Sequence, residues 1–404
     1  MPQTITQKFS LNYSFPVIFC HELFRPDNPI LADLLAAAGP GPHRFLACLD
    51  SGVLQARPEL GQQLEEYARV HAGIMELVAP VVSVPGGEAC KNDPDTVPRL
   101  HHLIAQHHLC RQSFVLALGG GAVLDAVGFA AATAHRGVRL IRVPTTVLGQ
   151  NDAGVGVKNS VNFGGRKNFL GTFAPPYAVI NDFGFLASLP PRQLRAGIVE
   201  AVKVALIKDA AFFTELHAQR RELAGFAPEA MEGMIRRCAA LHIAHIGSQG
   251  DPFEFGSSRP LDFGHWSAHK LEEISRGALN HGEAVAIGIA LDTLYSRENG
   301  LLSAITAETI LDLLEELGLA LYHPALESLE IAAALAEFRE HLGGELTIPL
   351  LTAPGCLHEA HAIDAARMRD CIKQLAERHQ QTIANRLPAA QAPAVATAPA
   401  SNPC

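Results

Sequence analysis

The sequence predicts an α/β N-terminal half followed by a mainly α-helical C-terminal half. In the first third of the chain, short apolar and β-branched runs alternate with helical patterns, which is typical of βαβ units. From about Pro190 onward, strand signals become rare and helical periodicity takes over. We therefore predict an α/β domain at 1–185, a helical domain at 186–385 and a tail at 386–404. The tail is rich in Ala and Pro and is predicted to be disordered.

Each predicted strand of the first part is followed by turn residues or by a helical pattern. The predicted strands, in chain order, are Val17–Cys20, Arg44–Leu49, Val81–Val84, Phe114–Leu118 and Leu140–Val143. The predicted helices are Glu59–His71, Ala122–Ala134, Gln193–Lys208, Glu283–Asn299 and Ala304–Leu317. The alternation in the first part indicates a parallel sheet of the nucleotide-binding type.

Composition excludes several classes of function. The 404 residues are 48% apolar and 18% charged, and 41 acidic residues outnumber 32 basic ones, so a nucleic-acid or anionic-membrane partner is not expected. The N-terminus lacks the features of a signal peptide, and no apolar run approaches the ~18 residues that a membrane span needs, so we expect a cytoplasmic protein without membrane insertion. The eight cysteines lie far apart without a C-x-x-C pair, which predicts free thiols.

Three consecutive glycines lie between a predicted strand and a predicted helix, at Gly119–Gly121. Glycine there allows a diphosphate to approach the backbone, and the helix N-terminus supplies N–H donors. The segment does not satisfy G-x-G-x-x-G because Leu124 occupies the last position, so a simple tight turn is an open alternative. Asp50 ends an earlier strand, where a ribose hydroxyl could bind, and Glu88 and Lys91 follow another glycine pair.

Histidines and one glutamate form a possible metal site. His265 and His269 are four residues apart, which places both on one face of a helix, and His281 begins the next helical run. Glu200 adds a carboxylate if it faces inward. Two or three imidazoles with one carboxylate are typical of a catalytic divalent-metal site. The chain has 19 histidines, so an accidental pair is the alternative, and spacing does not decide which imidazoles bind.

Two lysines lie among glycine and asparagine, in segments predicted to be loops. These are Lys158 and Lys167. Such lysines suit a phosphorylated or carboxylated ligand, although solvated surface lysines are the commoner explanation.

Taken together, the motifs resemble the 3-dehydroquinate synthase family of sugar phosphate cyclases over about residues 44–355. The shared motifs are Gly86-Gly87-Glu88 with Lys91, Gly119-Gly120-Gly121 with Asp125, Pro144-Thr145-Thr146, Gln150-x-Asp152, Gly165-x-Lys167-Asn168, Gly197-x-x-Glu200-x-x-Lys203, Phe263-Gly264-His265 with His269, and the run His281–Gly288. The resemblance implies a dinucleotide-binding, Rossmann-like N-terminal α/β domain and a mainly helical metal-binding C-terminal domain. It also implies NAD and a divalent metal, Zn²⁺ or Co²⁺, in the cleft between them, and a homodimer.

The resemblance assigns a role to each matching residue. The implied metal ligands are Glu200, His265 and His281, which frees His269 to contact substrate phosphate. The implied NAD contacts are Asp50, Glu88, Lys91, Gly119, Gly120, Gly121, Asp125, Thr145 and Thr146. The implied substrate pocket contains Asp152, Lys158, Lys167, Asn168, Lys203 and His269. Glu254 matches a family acidic position near the metal, and Arg136 resembles the arginine that reaches a neighbouring subunit's phosphate.

Departures from the family pattern bear on the substrate. Dehydroquinate synthases carry Asn, Arg and Lys where this chain has Asp262, Ser258 and Ala244, and Arg259 is one place out of register. The Arg and Lys are the cations expected to receive a substrate carboxylate, which is costly to bury without a partner. Their loss favours sedoheptulose 7-phosphate, a ketose without a carboxylate. Residues 338–344, where dehydroquinate synthases have a lysine pair, also resemble that branch, and the cyclase-like proteins encoded beside membrane prenyl-glycoside clusters.

Three other functions stay open at this point. A 3-dehydroquinate synthase could bind the carboxylate of 3-deoxy-arabino-heptulosonate 7-phosphate through Arg259. A metal-dependent polyol dehydrogenase of the same fold would consume NAD⁺ stoichiometrically, but it would not need several lysines in its pocket. A non-catalytic nucleotide-binding protein could also keep the fold.

Overall fold

A computed structural model describes residues 4–248, 253 and 259–386. Its strands are β1 (Val17–Cys20), β2 (His43–Asp50), β3 (Met75–Leu77), β4 (Val82–Val84), β5 (Phe114–Gly119), β6 (Arg139–Pro144), β7 (Lys158–Phe163), β8 (Arg166–Phe173), β9 (Ala178–Asp182), β10 (Ile348–Ala353) and β11 (Cys356–Ala360). Its N-terminal helices are α1 (Ile30–Ala36), α2 (Ser51–Ala56), α3 (Leu60–Val70), α4 (Ala89–Asn92), α5 (Thr96–Gln106) and α6 (Gly121–Thr133).

The later helices carry most of the C-terminal half. They are α7 (Pro191–Lys208), α8 (Ala210–Ala218), α9 (Arg220–Ala224), α10 (Pro228–Ser248), α11 (His265–Ile274), α12 (His281–Glu298), α13 (Ala304–Glu316), α14 (Ile331–His341) and α15 (Ala365–Arg386). Short 3₁₀ helices lie at Ala134–Arg136, Phe183–Ser188, Pro260–Asp262 and Pro324–Ser328, and a π-helix lies at Gly149–Ala153. Of the helices that the structure describes, none has the length and apolarity needed to cross a membrane.

A seven-stranded sheet forms the centre of the N-terminal half, in the order β1-β9-β6-β5-β2-β3, with β4 also paired to β2. Its strand pairings are parallel, which confirms the predicted α/β fold. Alternate residues of β5 enter opposite cores: Leu116 packs with α1 and α3, and Val115 packs with α5 and α6. Both faces are therefore covered, which is why these strands are continuous apolar runs.

The register of the sheet brings the ends of its middle strands together. Gly119 at the end of β5 pairs with Pro144 at the end of β6, and Asp50 at the end of β2 pairs with Val84 of β4. Ligands of parallel α/β sheets bind at this carboxyl edge. The glycine run and Asp50 consequently lie at the same carboxyl edge of the sheet.

The C-terminal half packs around α7 and α12, which are buried along most of their length. Glycines allow close approach of the neighbouring helices: a Cβ at Gly288 of α12 would lie 2.0 Å from the Gly264 carbonyl oxygen, and one at Gly282 would lie 2.4 Å from the Ala196 carbonyl oxygen. Gly264 itself has φ of 78°, a left-handed conformation that favours glycine. These contacts fix the beginnings of α11 and α12 against each other and against α7.

Some elements differ from the prediction. Lys158 and Lys167 lie in the antiparallel hairpin β7–β8 rather than in loops. The hairpin was missed because β8 is almost entirely exposed and lacks an alternating apolar pattern. A second hairpin, β10–β11, interrupts the predicted helical half. The helices and strands that were predicted begin and end within two residues of the observed bounds.

The predicted domain boundary falls within the 3₁₀ helix Phe183–Ser188, between β9 and α7, and stays a prediction. The predicted tail, apart from Arg386 at the end of α15, lies outside the described residues.

Candidate active site

Three possible metal ligands meet where α7, α11 and α12 approach one another. Glu200 lies in the middle of α7, and His265 and His281 are the first residues of α11 and α12. One ligand atom from each of these side chains lies within 4.8 Å of the others. A capping box between Asn280 and Glu283 begins α12 and so fixes the position of His281.

Hydrogen bonds at Nδ1 orient both imidazoles. His265 Nδ1 lies 3.0 Å from the Phe263 carbonyl oxygen, and His281 Nδ1 lies 2.9 Å from Glu272 Oε1. Because both partners are acceptors, the neutral rings carry their proton on Nδ1, and Nε2 offers a lone pair. His281 Nε2 lies 3.5 Å from Glu200 Oε1, so the available lone pair faces the carboxylate.

Burial sets the protonation of these side chains. It lowers the pKa of His265 well below the usual value, and the charge of Lys203 adds to the effect, so this ring is neutral at neutral pH. Burial also lowers the pKa of His281, but the carboxylates of Glu272 and Glu200 outweigh it and leave that pKa raised. The pKa of Glu200 is raised by burial against the opposing charge of Lys203.

The donor set fits a divalent metal ion. Glu200 is completely buried, and its Oε1 has no hydrogen-bond partner among the described residues. An unsatisfied buried carboxylate oxygen costs free energy, which a bound cation would offset. One carboxylate and two imidazoles also leave a coordination position open for a substrate oxygen, as in catalytic zinc sites.

A buried ion cluster adjoins these ligands. Lys203 Nζ lies 2.5 Å from Glu200 Oε2 and 3.6 Å from Asp152 Oδ2, and His242 Nδ1 lies 3.0 Å from Asp152 Oδ1. Burial lowers the pKa of Lys203, but the two carboxylates outweigh it and leave that pKa raised. Burial raises the pKa of Asp152, but Lys203 and His242 hold it below its usual value. The cluster therefore places a fixed cation beside the ligands.

His269 lies one helical turn after His265 but outside the group of possible ligands. Its ring centroid lies 5.4 Å from that of His265 and 6.2 Å from those of His281 and His341. Burial, together with His281, lowers the pKa of His269 to about 3, so the ring is neutral. A neutral imidazole here can donate a hydrogen bond to a substrate oxygen.

The β7–β8 hairpin carries three of the predicted substrate contacts. Lys158 begins β7 and is exposed. Lys167 Nζ lies 2.6 Å from Glu272 Oε2 of α11, which connects the hairpin to the helical half. Asn168 has φ of 54°, and its Oδ1 accepts a hydrogen bond from Lys91 Nζ.

The glycine run Gly119–Gly121 has little room for side chains, but its backbone N–H groups can bind an anion. Gly120 is the N-cap of α6, and no described side chain caps this helix, so its first N–H groups can bind a phosphate. A Cβ at Gly119 would lie 3.0 Å from Asp50 Cβ, and one at Gly86 would lie 2.4 Å from Asp50 Oδ1. Gly86 and Gly119 therefore leave no room for a side chain beside Asp50. A backbone of this kind suits a dinucleotide-binding site.

Two residues predicted to contact NAD, Lys91 and Asp125, form an ion pair with each other. Lys91 is buried, and its Nζ lies 2.8 Å from Asp125 Oδ2 and 3.0 Å from Ser160 Oγ. Glu88 accepts a hydrogen bond of 2.6 Å from Asn162 Nδ2. Lys91 thus joins the predicted NAD contacts to Asn168, which was predicted to contact substrate.

Comparison with known proteins identifies the family of the chain. The family model described as 3-dehydroquinate synthase N-terminal matches residues 81–196, and the one described as 3-dehydroquinate synthase C-terminal matches residues 197–340. The chain belongs to the 3-dehydroquinate synthase family. It is therefore an enzyme of the dehydroquinate synthase type, a carbon–oxygen lyase and cyclase.

Relatives within the family have more than one activity. The chain is 34% identical to a 2-epi-5-epi-valiolone synthase from Streptomyces hygroscopicus subsp. jinggangensis (strain 5008), over 90% of this chain and 88% of that protein. It is 36% identical to a 3-dehydroquinate synthase from Xanthomonas campestris pv. campestris, over 84% of this chain and 88% of that protein. Sequence identity alone therefore does not separate these two activities.

A solved structure of the Streptomyces hygroscopicus 2-epi-5-epi-valiolone synthase has NAD⁺ and Zn²⁺ bound. It superimposes with a TM-score of 0.83 at 31% identity and covers 93% of this chain and 100% of that one. A 2-deoxy-scyllo-inosose synthase superimposes with a TM-score of 0.71 at 22% identity, over 89% of this chain and 96% of that one, which shows the fold alone.

The structure brings nine of the twenty predicted site residues of this family member into two groups. One contains Glu200, His265, His281, His269, Lys203 and Asp152, and the other contains Lys91, Asp125 and Asn168. Arg136 is exposed in a 3₁₀ turn and forms no ion pair within the described part of the chain. Glu254 lies outside the described residues.

Two polar side chains that contact predicted site residues were missed from the sequence. Glu272 lies seven residues after His265 and three after His269, so helical spacing on α11 could have shown it. His242 lies far along the chain on α10, and its approach to Asp152 depends on tertiary packing that no local pattern reveals.

Asp292 should make the stability of the folded protein depend on pH. Its buried carboxylate accepts hydrogen bonds from Trp266 Nε1 and the Gly264 N–H, but burial outweighs these donors and raises its pKa to about 7. Because the native state holds a proton that the unfolded state has lost, stability should fall as pH rises from about 4 to about 7. Relative to Asp292→Asn, the wild type should lose roughly 2–4 kcal/mol of unfolding free energy across this window in chemical denaturation. Parallel profiles for the two proteins would contradict this assignment.

Proposed function

We propose that the protein is an NAD- and divalent-metal-dependent sugar phosphate cyclase acting on a heptulose 7-phosphate, with sedoheptulose 7-phosphate as the favoured substrate. The observation that carries the proposal is the group of buried Glu200, buried His265 and partly buried His281, with Lys203 beside it. This group supplies a metal site and a fixed cation in one place. The NAD⁺ and Zn²⁺ in the solved relative support the same cofactors here.

The reaction removes hydride and a proton from one carbinol of the substrate and then eliminates inorganic phosphate. The hydride is returned, the ring opens, and an intramolecular aldol addition closes a carbocycle. Carbon, phosphate and electrons therefore balance, and NAD⁺ is regenerated in each cycle. No water and no external reductant is required.

Residues of the chain would hold the two cofactors. Glu200, His265 and His281 would bind the divalent ion, which supplies Lewis acidity that makes a bound hydroxyl easier to deprotonate. The run Gly119–Gly121 and Asp50 would hold NAD⁺, which supplies a hydride acceptor.

The remaining site residues act on the substrate. Lys203, a buried cation, stabilises negative charge as it develops on the oxidised carbinol oxygen. Asp152 stays an anion between Lys203 and His242 and would hold the ammonium group of Lys203 in place. His269 and Lys158 would orient the phosphate so that it leaves as its bond to carbon breaks.

The pocket near Lys203 suits a ligand without a carboxylate. Asp262 is close enough to raise the pKa of Lys203, and its Oδ2 is buried without a hydrogen-bond partner among the described residues. A substrate hydroxyl could donate to this oxygen, whereas a substrate carboxylate would be repelled by it. Ala244, at the position of a family lysine, provides no cation. These features favour sedoheptulose 7-phosphate over 3-deoxy-arabino-heptulosonate 7-phosphate.

A substrate comparison tests this proposal. Purified protein with NAD⁺ and Zn²⁺ or Co²⁺ should release inorganic phosphate from sedoheptulose 7-phosphate and not from 3-deoxy-arabino-heptulosonate 7-phosphate. Nuclear magnetic resonance should then identify a carbocyclic product. Release from the second compound alone would instead establish a 3-dehydroquinate synthase and overturn the substrate assignment.

A further inference from the structure

Glu272 is a largely buried carboxylate that contacts side chains of two different elements. Its side chain is 10% exposed, its Oε1 lies 2.9 Å from His281 Nδ1, and its Oε2 lies 2.6 Å from Lys167 Nζ. His281 begins α12 of the helical half, and Lys167 lies on the hairpin β7–β8, which is inserted between β6 and β9 of the seven-stranded sheet. One side chain therefore connects a metal ligand to a lysine predicted to contact substrate.

We propose that Glu272 is a positioning residue that fixes the metal ligand His281 and the substrate lysine Lys167 relative to each other. This inference rests on the proposed function. By accepting the Nδ1 proton of His281, Glu272 keeps Nε2 unprotonated and turned toward Glu200, and it makes the ring a stronger ligand. By accepting from Lys167, it holds the ammonium group of a side chain that is 48% exposed and otherwise free to change rotamer.

The surroundings of Glu272 distinguish it from a surface ion pair. Exposed ion pairs contribute little to stability. Glu273, the next residue, forms such a pair with Lys270, and its side chain is 69% exposed. The side chain of Glu272 is instead only 10% exposed, and its two oxygens contact partners on two different elements. The carboxylate is therefore held in place from both sides.

The two partners of Glu272 have different consequences for function. The bond to His281 affects how tightly the metal is held, and the bond to Lys167 affects where the substrate lies. Loss of Glu272 should therefore weaken the metal site and also raise the KM for substrate. Loss of Lys167 alone should leave the metal site intact, because Glu272 still binds His281.

Metal binding measured without substrate tests the inference. Zn²⁺ affinity is determined by chelator competition, and the d–d absorption of the Co²⁺-loaded protein reports ligand geometry. We expect Glu272→Gln to bind Zn²⁺ roughly 10–100-fold more weakly than the wild type and to shift the Co²⁺ spectrum. The matched control Glu273→Gln, on the same helix, should leave affinity, spectrum and turnover unchanged. Lys167→Met should keep Zn²⁺ affinity within about twofold of the wild type while its KM rises.

The outcomes separate this inference from the proposed function. Glu272→Gln with the affinity and spectrum of the wild type overturns the positioning role alone. A wild-type protein that binds Zn²⁺ tightly but releases no phosphate from any heptulose phosphate overturns the proposed function, while the comparison of variants still decides the role of Glu272. Glu272→Asp, which keeps the charge with a shorter reach, should recover part of the Zn²⁺ affinity; no recovery while its far-ultraviolet circular dichroism matches the wild type would count against a role for the carboxylate.

Discussion

Replacing Glu200 with glutamine should remove the bound metal and reduce phosphate release by at least about a thousandfold. The change keeps the shape of the side chain but removes the only carboxylate of the possible ligand group. An amide is a much weaker ligand for a divalent cation than a carboxylate. The measurements are metal content after dialysis and the rate of phosphate release.

The exposed Glu273→Gln variant is the control for Glu200→Gln, because it removes a carboxylate from the same region without touching the ligands. It should retain one metal ion per chain and full turnover. A Glu200→Gln protein that also kept its metal, with a rate within tenfold of the wild type, would exclude Glu200 as a ligand.

Replacing Lys203 with methionine should both destabilise the protein and abolish turnover. Lys203 is 3% exposed and lies next to the carboxylates of Glu200 and Asp152. Without the cation, the completely buried carboxylate of Glu200 and the partly buried carboxylate of Asp152 lose this partner, which costs on the order of 3–5 kcal/mol. The measurement is the free energy of unfolding in denaturant with a chelator present, so that metal does not compensate.

The pH dependence of Lys203→Met follows from the same charges. Removing the cation raises the native pKa values of Glu200 and Asp152, so the loss of stability should be greatest at neutral pH. It should shrink as pH falls and the carboxylates take up protons. Lys208→Met, on the same helix, is the control; burial lowers the pKa of Lys208, and we expect a change below ~1 kcal/mol. A pH-independent loss for Lys203→Met would mean that packing rather than charge is responsible.

The sheet and the main helices could be predicted because their signals are local. The buried strands β2 and β5 are apolar runs that end at Asp50 and at the glycine run, and α7 and α12 have long apolar sequences. The hairpin β7–β8 could not be predicted, because β8 is almost entirely exposed and the buried residues of β7, Asn159 and Ser160, are polar. Its role depends on where Lys167 and Asn168 contact the rest of the molecule, which is a tertiary property.

In the candidate site, too, local sequence signals could be predicted and tertiary contacts could not. The spacing of His265 and His269 suggested that both bind metal, but α11 begins at His265 and directs only that ring toward Glu200 and His281. The resemblance to the family, rather than spacing, separated these two histidines in advance. His242 and Glu272 complete the site through packing of α10 and α11, and neither was part of a motif.

Phosphate released per NAD⁺ supplied is the measurement that tests the central claim most directly. Sedoheptulose 7-phosphate in large excess is incubated with the metal-loaded protein and a limiting amount of NAD⁺. We expect many phosphates to be released for each NAD⁺, with no net accumulation of NADH, because the hydride is returned in each cycle. NADH formation that stops at one equivalent of NAD⁺ without phosphate release would instead show a polyol dehydrogenase and contradict a cyclase.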